Sequence, residues 1–243
     1  MGKHETQMLK EVLEWDVRSW SHAIKYWEKL EIDPRGLTVL DLGSRRGGLT
    51  YYFANQGAQV ICSDLEGPSI EAQELIKKYE LSDLVRYEKI DATSIDLPDD
   101  SCDMICFKSI LGGIGRDGND QYQNAALIEI HRVLRPGGTL FFAENLKASF
   151  LHQYLRKRFV RWGDSWNYMT ENRLFQVLAP FEECSLEFWG FLSAFGRNEA
   201  QRSFLSHVDS LILTMIPKSQ RYIVYGYAIK SKDSIKTSIQ GNG

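Results

Sequence analysis

The stretch VLDLGSRRGGLT, residues 39–50, runs from an apolar strand into a glycine bend and straight on into a helix. Glycine in such a bend permits a positive φ and lets a ligand approach backbone that a side chain would block. A second acid closes the next apolar run, VICSD: Asp64 stands seventeen residues beyond Gly47. That is close to the spacing of about 20 at which such an acid reaches ribose hydroxyls. In open α/β sheets ligands lie beyond the carboxyl ends of the strands, where both features fall. The bend itself reads Gly43, Ser44, Arg45, Arg46, Gly47, Gly48. It fits neither the G-x-G-x-x-G of dinucleotide binders nor the G-x-x-x-x-G-K-[ST] of a phosphate loop. Asp41, just before the bend, would repel a pyrophosphate and suits a ligand with an ammonium group. A nucleoside with an amino-acid tail meets both conditions.

Around this segment, apolar runs of strand length (38–42, 59–63, 85–90, 104–108, 139–143) alternate with helical stretches at 49–56, 69–79 and 121–134. Alternation of this kind, with near-continuous apolar strands, predicts a parallel sheet covered by helices on both faces. Upstream, Leu9, Val12, Leu13, Trp20, Ile24 and Trp27 recur at helical spacing through 5–30, so one N-terminal helix is expected, ending at the turn Asp33-Pro34-Arg35-Gly36. Downstream the spacing predicts a short helix at 170–178, a strand at 183–189, a long amphipathic helix at 199–215 and a last strand at 221–229. The fold class is therefore a doubly wound, Rossmann-like α/β sheet of seven strands, the last antiparallel. The expected organisation is a helical cap over 1–36, a ligand-binding core over 37–145, substrate-side helices and two strands of the same domain over 146–230, and a polar, frayed tail over 231–243.

Charge and composition narrow the partners. Lys and Arg number 29 against 32 Asp and Glu, and the pI is about 6.0; a nucleic-acid footprint is strongly basic, so no nucleic acid is expected. Cys62, Cys102, Cys106 and Cys184 form no CxxC pair and read as free thiols of a reducing compartment, with no metal site. No run approaches the ~20 apolar residues of a membrane span, and MGKHETQMLKEVLEWD is too charged for a signal peptide. A cytoplasmic protein is expected.

The residues resemble a family. Val39 to Gly47 is similar to the first motif, hh-D-h-G-x-G-x-G, of the class I S-adenosylmethionine-dependent methyltransferases. Ile90-Asp91-Ala92 resembles the acid after that family's third strand, 97–103 (LPDDSCD) the turn before its fourth, and 129–140 (EIHRVLRPGGTL) the helix and turn entering its fifth. The matches keep the family's order and spacing from about 37 to 145. The resemblance implies S-adenosylmethionine as cofactor and a role for each match. Asp41, Gly43, Ser44, Arg45 and Gly47 would face its methionine end, and Asp64 the ribose. Leu65 would stack on the adenine, Asp91 and Ala92 would read the adenine edge, and Phe107 would line the floor near the methyl group. One position departs from the pattern: Arg45 replaces the middle glycine. A guanidinium there either meets the cofactor carboxylate, turns to solvent or fills the bend.

The acceptor side is less defined by the sequence. The segment 147–162 carries Lys147, Arg156, Lys157, Arg158 and Arg161 without an acid, and Leu151, Leu155, Phe159 and Trp162 at helical spacing. It reads either as a solvated face or as a site for an anionic acceptor, such as a phosphorylated or lipid-linked sugar, or for peripheral membrane contact. Trp162, Trp166, Tyr168, Trp189, Phe191 and Phe195 are expected to divide between core and pocket. His152 and Glu144 are the candidate catalytic residues, with Asn145 and His207 as further candidates and His131 read as structural. The absence of Asn/Asp-Pro-Pro-aromatic after the fourth strand argues against nucleobase or amide N-methylation. The expectation is methyl transfer to a small-molecule or lipid- or sugar-linked acceptor, at oxygen. A binding or regulatory protein that keeps the fold without turnover is the alternative, and an NAD-dependent oxidoreductase is disfavoured by its loop pattern.

Overall fold

The computed structural model describes residues 3–159 and 165–232. Arg161, Trp162 and the tail from 233 onward lie outside the described residues. Seven strands, β1 (Thr38–Leu42), β2 (Gln59–Asp64), β3 (Val85–Lys89), β4 (Cys102–Lys108), β5 (Leu134–Asn145), β6 (Glu183–Trp189) and β7 (Ile223–Ile229), form one sheet in the order β3-β2-β1-β4-β5-β7-β6. β1 to β5 pair in parallel, and β7 enters antiparallel between β5 and β6. Helices α1 (Lys3–Leu13), α2 (Val17–Glu28), α3 (Gly48–Ala54), α4 (Ile70–Lys78), α5 (Leu111–Ile114), α6 (Asp120–Val133), α7 (Phe150–Phe159), α8 (Glu171–Leu178) and α9 (Glu199–Ile212) complete the chain.

Strand alternation sorts the core into two clusters, one on each face. Val39, Val60, Met104, Cys106 and Phe141 pack under α1, α2 and α3, while Leu40, Ile61, Ile105, Phe107 and Phe142 pack with Ile130, Leu174 and Leu178 of α6 and α8. Leu9, Leu13, Trp20 and Ile24 are all under 3% exposed, and each apolar side chain so buried stabilises by about 1.5–3 kcal/mol. Strand order reverses at β1: its chain leaves to β2 on one side and pairs with β4 on the other. The crevice beyond the carboxyl ends of β1 and β4 is where such sheets bind ligands.

The N-terminal cap is two helices where periodicity predicts one. Glu14 and Asp16 take left-handed φ values of 64° and 47° around Trp15, a conformation costing of order 1–2 kcal/mol for a non-glycine residue. The break is fixed from outside, by a contact that sequence spacing cannot reveal. Glu199, the first residue of α9, accepts from Asp16 N at 2.7 Å and Val17 N at 3.2 Å, and so caps α2. The Tyr222 hydroxyl donates to Asp16 Oδ2.

Helix α7 also departs from expectation. Its buried face is not the Leu151 side: Phe150, Leu151 and Tyr154 are exposed, whereas His152 is 1% exposed and Arg156, one turn on, is half-buried. Arg156 donates to Leu146 O at 2.6 Å and lies 4.1 Å from the Tyr168 ring centroid. Thus the run 147–158 is neither an amphipathic helix on leucines nor a uniformly solvated basic face. Polar groups that satisfy loop carbonyls dock it.

Candidate active site

The ends of β1, β4 and β5, the glycine bend and the α1–α2 break enclose a cavity of about 640 Å³. Asp41, Gly43, Ser44, Arg45 and Arg46 form one wall, Lys108, Ser109, Ile110 and Asn145 the floor, and Val12, Glu14 and Trp15 the opposite wall. Trp166, Tyr168, Arg116 and Arg202 stand at the remaining side.

The bend is built as its glycines require. Gly43 and Gly47 have φ of 67° and 76°, and Arg45 between them is also left-handed at 52°. Ser44 N donates to Ser63 O, and Gly47 N to Ser44 O, both at 2.8 Å. Arg45 does not fill the bend. Its guanidinium leaves toward Trp15, 4.7 Å from the ring centroid, and Glu14, 3.5 Å away, and the side chain is more than half exposed. The left-handed φ directs it outward, so the missing middle glycine leaves the bend open.

Asp41 is 1% exposed, and its Oδ2 accepts from Thr50 N at 2.8 Å and Thr50 Oγ1 at 2.6 Å. Burial pushes its pKa up to about 7 against these bonds. In register it faces Cys62 of β2 and Cys106 of β4; burial raises both thiols, Cys62 to about 11, so both stay protonated at neutral pH. Asp64 lies outside the main cavity, in a shallow depression with Gly67, Ser69 and Glu71 that shares Arg45 and Arg46 with it. Its two oxygens accept one backbone N–H each, from Arg45 at 3.1 Å and Leu65 at 2.8 Å, which leaves a lone pair free on each. Leu65 is 55% exposed. Asp91 is exposed, with Oδ1 accepting from Thr93 N and Oγ1. Neither Leu65, Asp91 nor Ala92 lines the cavity.

Three expectations are corrected. Phe107 turns away from the cavity: it is 1% exposed in the opposite core cluster, stacked on Phe142. Strand alternation gives the cavity to Lys108 instead. His152 is locked. Its Nε2 faces the Phe191 carbonyl at 2.8 Å, which only accepts, so Nε2 carries the proton and Nδ1 takes the Ser149 hydroxyl at 2.6 Å. No lone pair remains for a substrate, and burial lowers its pKa to about 4. Glu144 is fully buried and caps α5: Oε2 accepts from Leu111 N at 2.7 Å and Oε1 from Asn145 N at 2.8 Å, while burial raises its pKa to about 7. It shapes the floor from beneath. Asn145 reaches the cavity, and His207 faces Arg18 at 2.8 Å on the surface. His131 packs edge-on against Phe181, as expected of a structural residue.

The His152 lock has a measurable pH signature. Its folded pKa lies below the usual 6.5, so the unfolded chain takes up the proton first as pH falls. Stability is lost between about 6.5 and 4, by about 2–3 kcal/mol at most. Denaturant unfolding at pH 7 and pH 4.5 is expected to show a steeper loss for the wild type than for His152→Phe; parallel losses would contradict the lock.

Sequence patterning did not point to Trp15, Glu14, Lys108, Arg116 or Arg202. Only the lysine carried a local signal, as a charge at the end of an apolar strand.

Residues 40–142 match a family model described as "Methyltransferase domain". The chain is 30% identical over 128 residues to the ubiquinone/menaquinone biosynthesis C-methyltransferase UbiE of Pectobacterium atrosepticum, covering 49% of each. It is thus a match to about half the length of that relative. It is 26% identical over 205 residues to the human thiol S-methyltransferase TMT1A, covering 80% of this chain and 71% of the other. Among solved structures, the [4+2]-cyclase SpnF superposes with a TM-score of 0.61 at 19% identity, over 88% of this chain and 81% of that one, which is a likeness of fold. The matched segment and the strand order make the chain similar to the class I S-adenosylmethionine-dependent methyltransferases.

Proposed function

We propose that the chain is an enzyme that moves the methyl group of S-adenosylmethionine to a small acceptor, at an acidic hydroxyl. The observation that carries this reading is the cavity itself: it opens at the strand-order reversal, against the glycine bend, with Asp64 at the adjoining rim. The residues fit the cofactor. Asp64 keeps two lone pairs for vicinal ribose hydroxyls, the bend keeps its positive-φ glycines, and Arg45, turned toward Trp15, is within the wall that would meet a carboxylate. Asp91, exposed beyond β3, would accept from the adenine amine, beside Leu65 and Ala92. Bound there, the cofactor supplies an activated methyl on a sulfonium, so no protein nucleophile is required.

The chain's own contribution is placement and exclusion of water. Holding an acceptor in line with the methyl, about 3 Å away, supplies several kcal/mol of the barrier. Trp15, Trp166 and Tyr168 offer flat faces for the acceptor body, and the α1–α2 break and α9 shield the opening. The cationic lining from Arg45, Arg46, Arg116 and Arg202 favours an acceptor with anionic character; it takes over the part foreseen for the run 147–162.

Because a cyclase shares the fold, activity is the decisive test. Incubation with methyl-labelled S-adenosylmethionine and a panel of phenols, thiols, phosphosugars and lipids is expected to label a small acceptor; labelling of none would remove the enzyme reading and leave a binding protein. Asp64→Ala is expected to weaken S-adenosylhomocysteine binding by about 1–3 kcal/mol through lost ribose bonds, measured by calorimetry. Unchanged affinity would place the ribose elsewhere.

A further inference from the structure

Lys108 ends β4 on the cavity side. Its stem lines the cavity, yet Nζ is sealed from solvent and has no hydrogen-bond partner. An ammonium has three donors, and leaving all of them unmade in a buried place is costly. The nearest groups are indoles: Nζ lies 3.1 Å from the Trp15 ring centroid and 5.1 Å from that of Trp20. Ring faces attract a cation but accept no proton. The charged groups that act on Nζ are Glu14 and Asp16 from the α1–α2 break, Arg45 from the glycine bend and Glu144 from β5. None bonds it. Glu14 Oε2 lies 3.5 Å from Arg45 and, like Asp16 Oδ1, has no hydrogen-bond partner, Asp16 Oδ2 is taken by Tyr222, and both oxygens of Glu144 are taken by backbone.

We propose that Lys108 is the acceptor-side base: when an aromatic acceptor displaces the Trp15 indole from over it, Nζ takes the proton from an acidic O–H or S–H of that acceptor and then, as ammonium, holds the anion at the cavity floor. The proposal rests on the methyl-transfer reading. In the first step the O–H or S–H bond breaks, its electron pair stays on oxygen or sulfur, and the proton bonds to the neutral amine. The acceptor's pair then forms the new bond to the methyl carbon as the sulfonium C–S bond breaks and its pair goes to sulfur. The ammonium returns its proton to water as product leaves, before the Trp15 indole covers it again. Burial, reinforced by Arg45 and opposed by Glu14, Asp16 and Glu144, brings Nζ down to about 7, so a neutral amine is available at neutral pH. A base of that strength suits phenols and aryl thiols; it cannot usefully deprotonate an aliphatic alcohol. The indoles of Trp15 and Trp166 and the ring of Tyr168 give the flat walls that an aryl group requires.

The test uses the full chain with S-adenosylmethionine and four probes: thiophenol, 4-nitrophenol, phenol and benzyl alcohol. The wild type is expected to methylate at least one of the first three and not benzyl alcohol. Lys108→Met is expected to lower kcat/KM on that probe at least 100-fold, and to lose a rising limb near pH 7 that the wild type shows. Lys108→Arg, which keeps the charge but cannot act as a base, is expected to be as impaired. Both variants should bind S-adenosylhomocysteine within threefold of wild type by calorimetry, and Lys108→Met should melt no lower than wild type. The proposal is overturned by Lys108→Met within tenfold of wild type, by an active Lys108→Arg, by a preference for benzyl alcohol, or by cofactor binding with none of the probes accepted. Failure of the wild type to bind cofactor would instead bring down the methyl-transfer reading beneath it.

Discussion

Asp41→Ala is expected to destabilise the chain by about 3–4 kcal/mol and to abolish cofactor binding. The carboxyl accepts both the backbone N–H and the hydroxyl of Thr50, and so ties the last turn of β1 to the first turns of α3. Alanine leaves a buried N–H and hydroxyl unpaired, each worth about 1–3 kcal/mol, with a cavity beside them. Asp41→Asn keeps an acceptor and separates loss of shape from loss of charge. The folded pKa of about 7 lies above the usual 3.8, so the folded chain holds the proton more tightly and stability falls as pH rises from about 4 to 7. Asn does not titrate, and Asp41→Asn should gain on the wild type by about 2–4 kcal/mol over that window. Denaturant midpoints at pH 5 and pH 8 measure this; a constant difference would show that Asp41 is ionised throughout.

Gly48→Ala is expected to unseat α1. A Cβ at Gly48 would stand 2.1 Å from Val12 O and 3.0 Å from Glu11 O, both backbone atoms of α1. Side-chain adjustment cannot relieve a clash with backbone, so α1 must lift from the N-terminus of α3. Overpacking of this kind costs about 1–3 kcal/mol or more, and here it also shifts Trp15 from the cavity wall. Loss of near-ultraviolet dichroism from Trp15 and Trp20 together with a lowered melting point is the expected result. An unchanged melting point would mean that α1 is not held at Gly48.

Much of the sheet was legible because buried parallel strands are nearly continuous apolar runs. The first strand, 38–42, and the sixth, 183–189, agree residue for residue with β1 and β6. The positions of the bend and its acids were legible for a related reason: Asp41 lies within β1 and Asp64 closes β2, where the apolar runs end. What was not legible depends on contacts distant in the chain. The α1–α2 break is set by Glu199, more than 180 residues away. The immobile state of His152 follows from Ser149 and the Phe191 carbonyl, and a histidine in a basic helix looks the same in sequence whether free or locked. Phe107 and Lys108 differ only in the phase of β4, and an apolar strand buried on both faces gives no alternation from which to read that phase.

The central claim is that the bend and Asp64 hold a nucleoside with an amino-acid tail. Calorimetric titration of the full chain with S-adenosylmethionine and with S-adenosylhomocysteine tests it most directly. One saturable site per chain for both ligands, competed by each other and weakened in Asp64→Ala, is the predicted result; no heat from either ligand would contradict it.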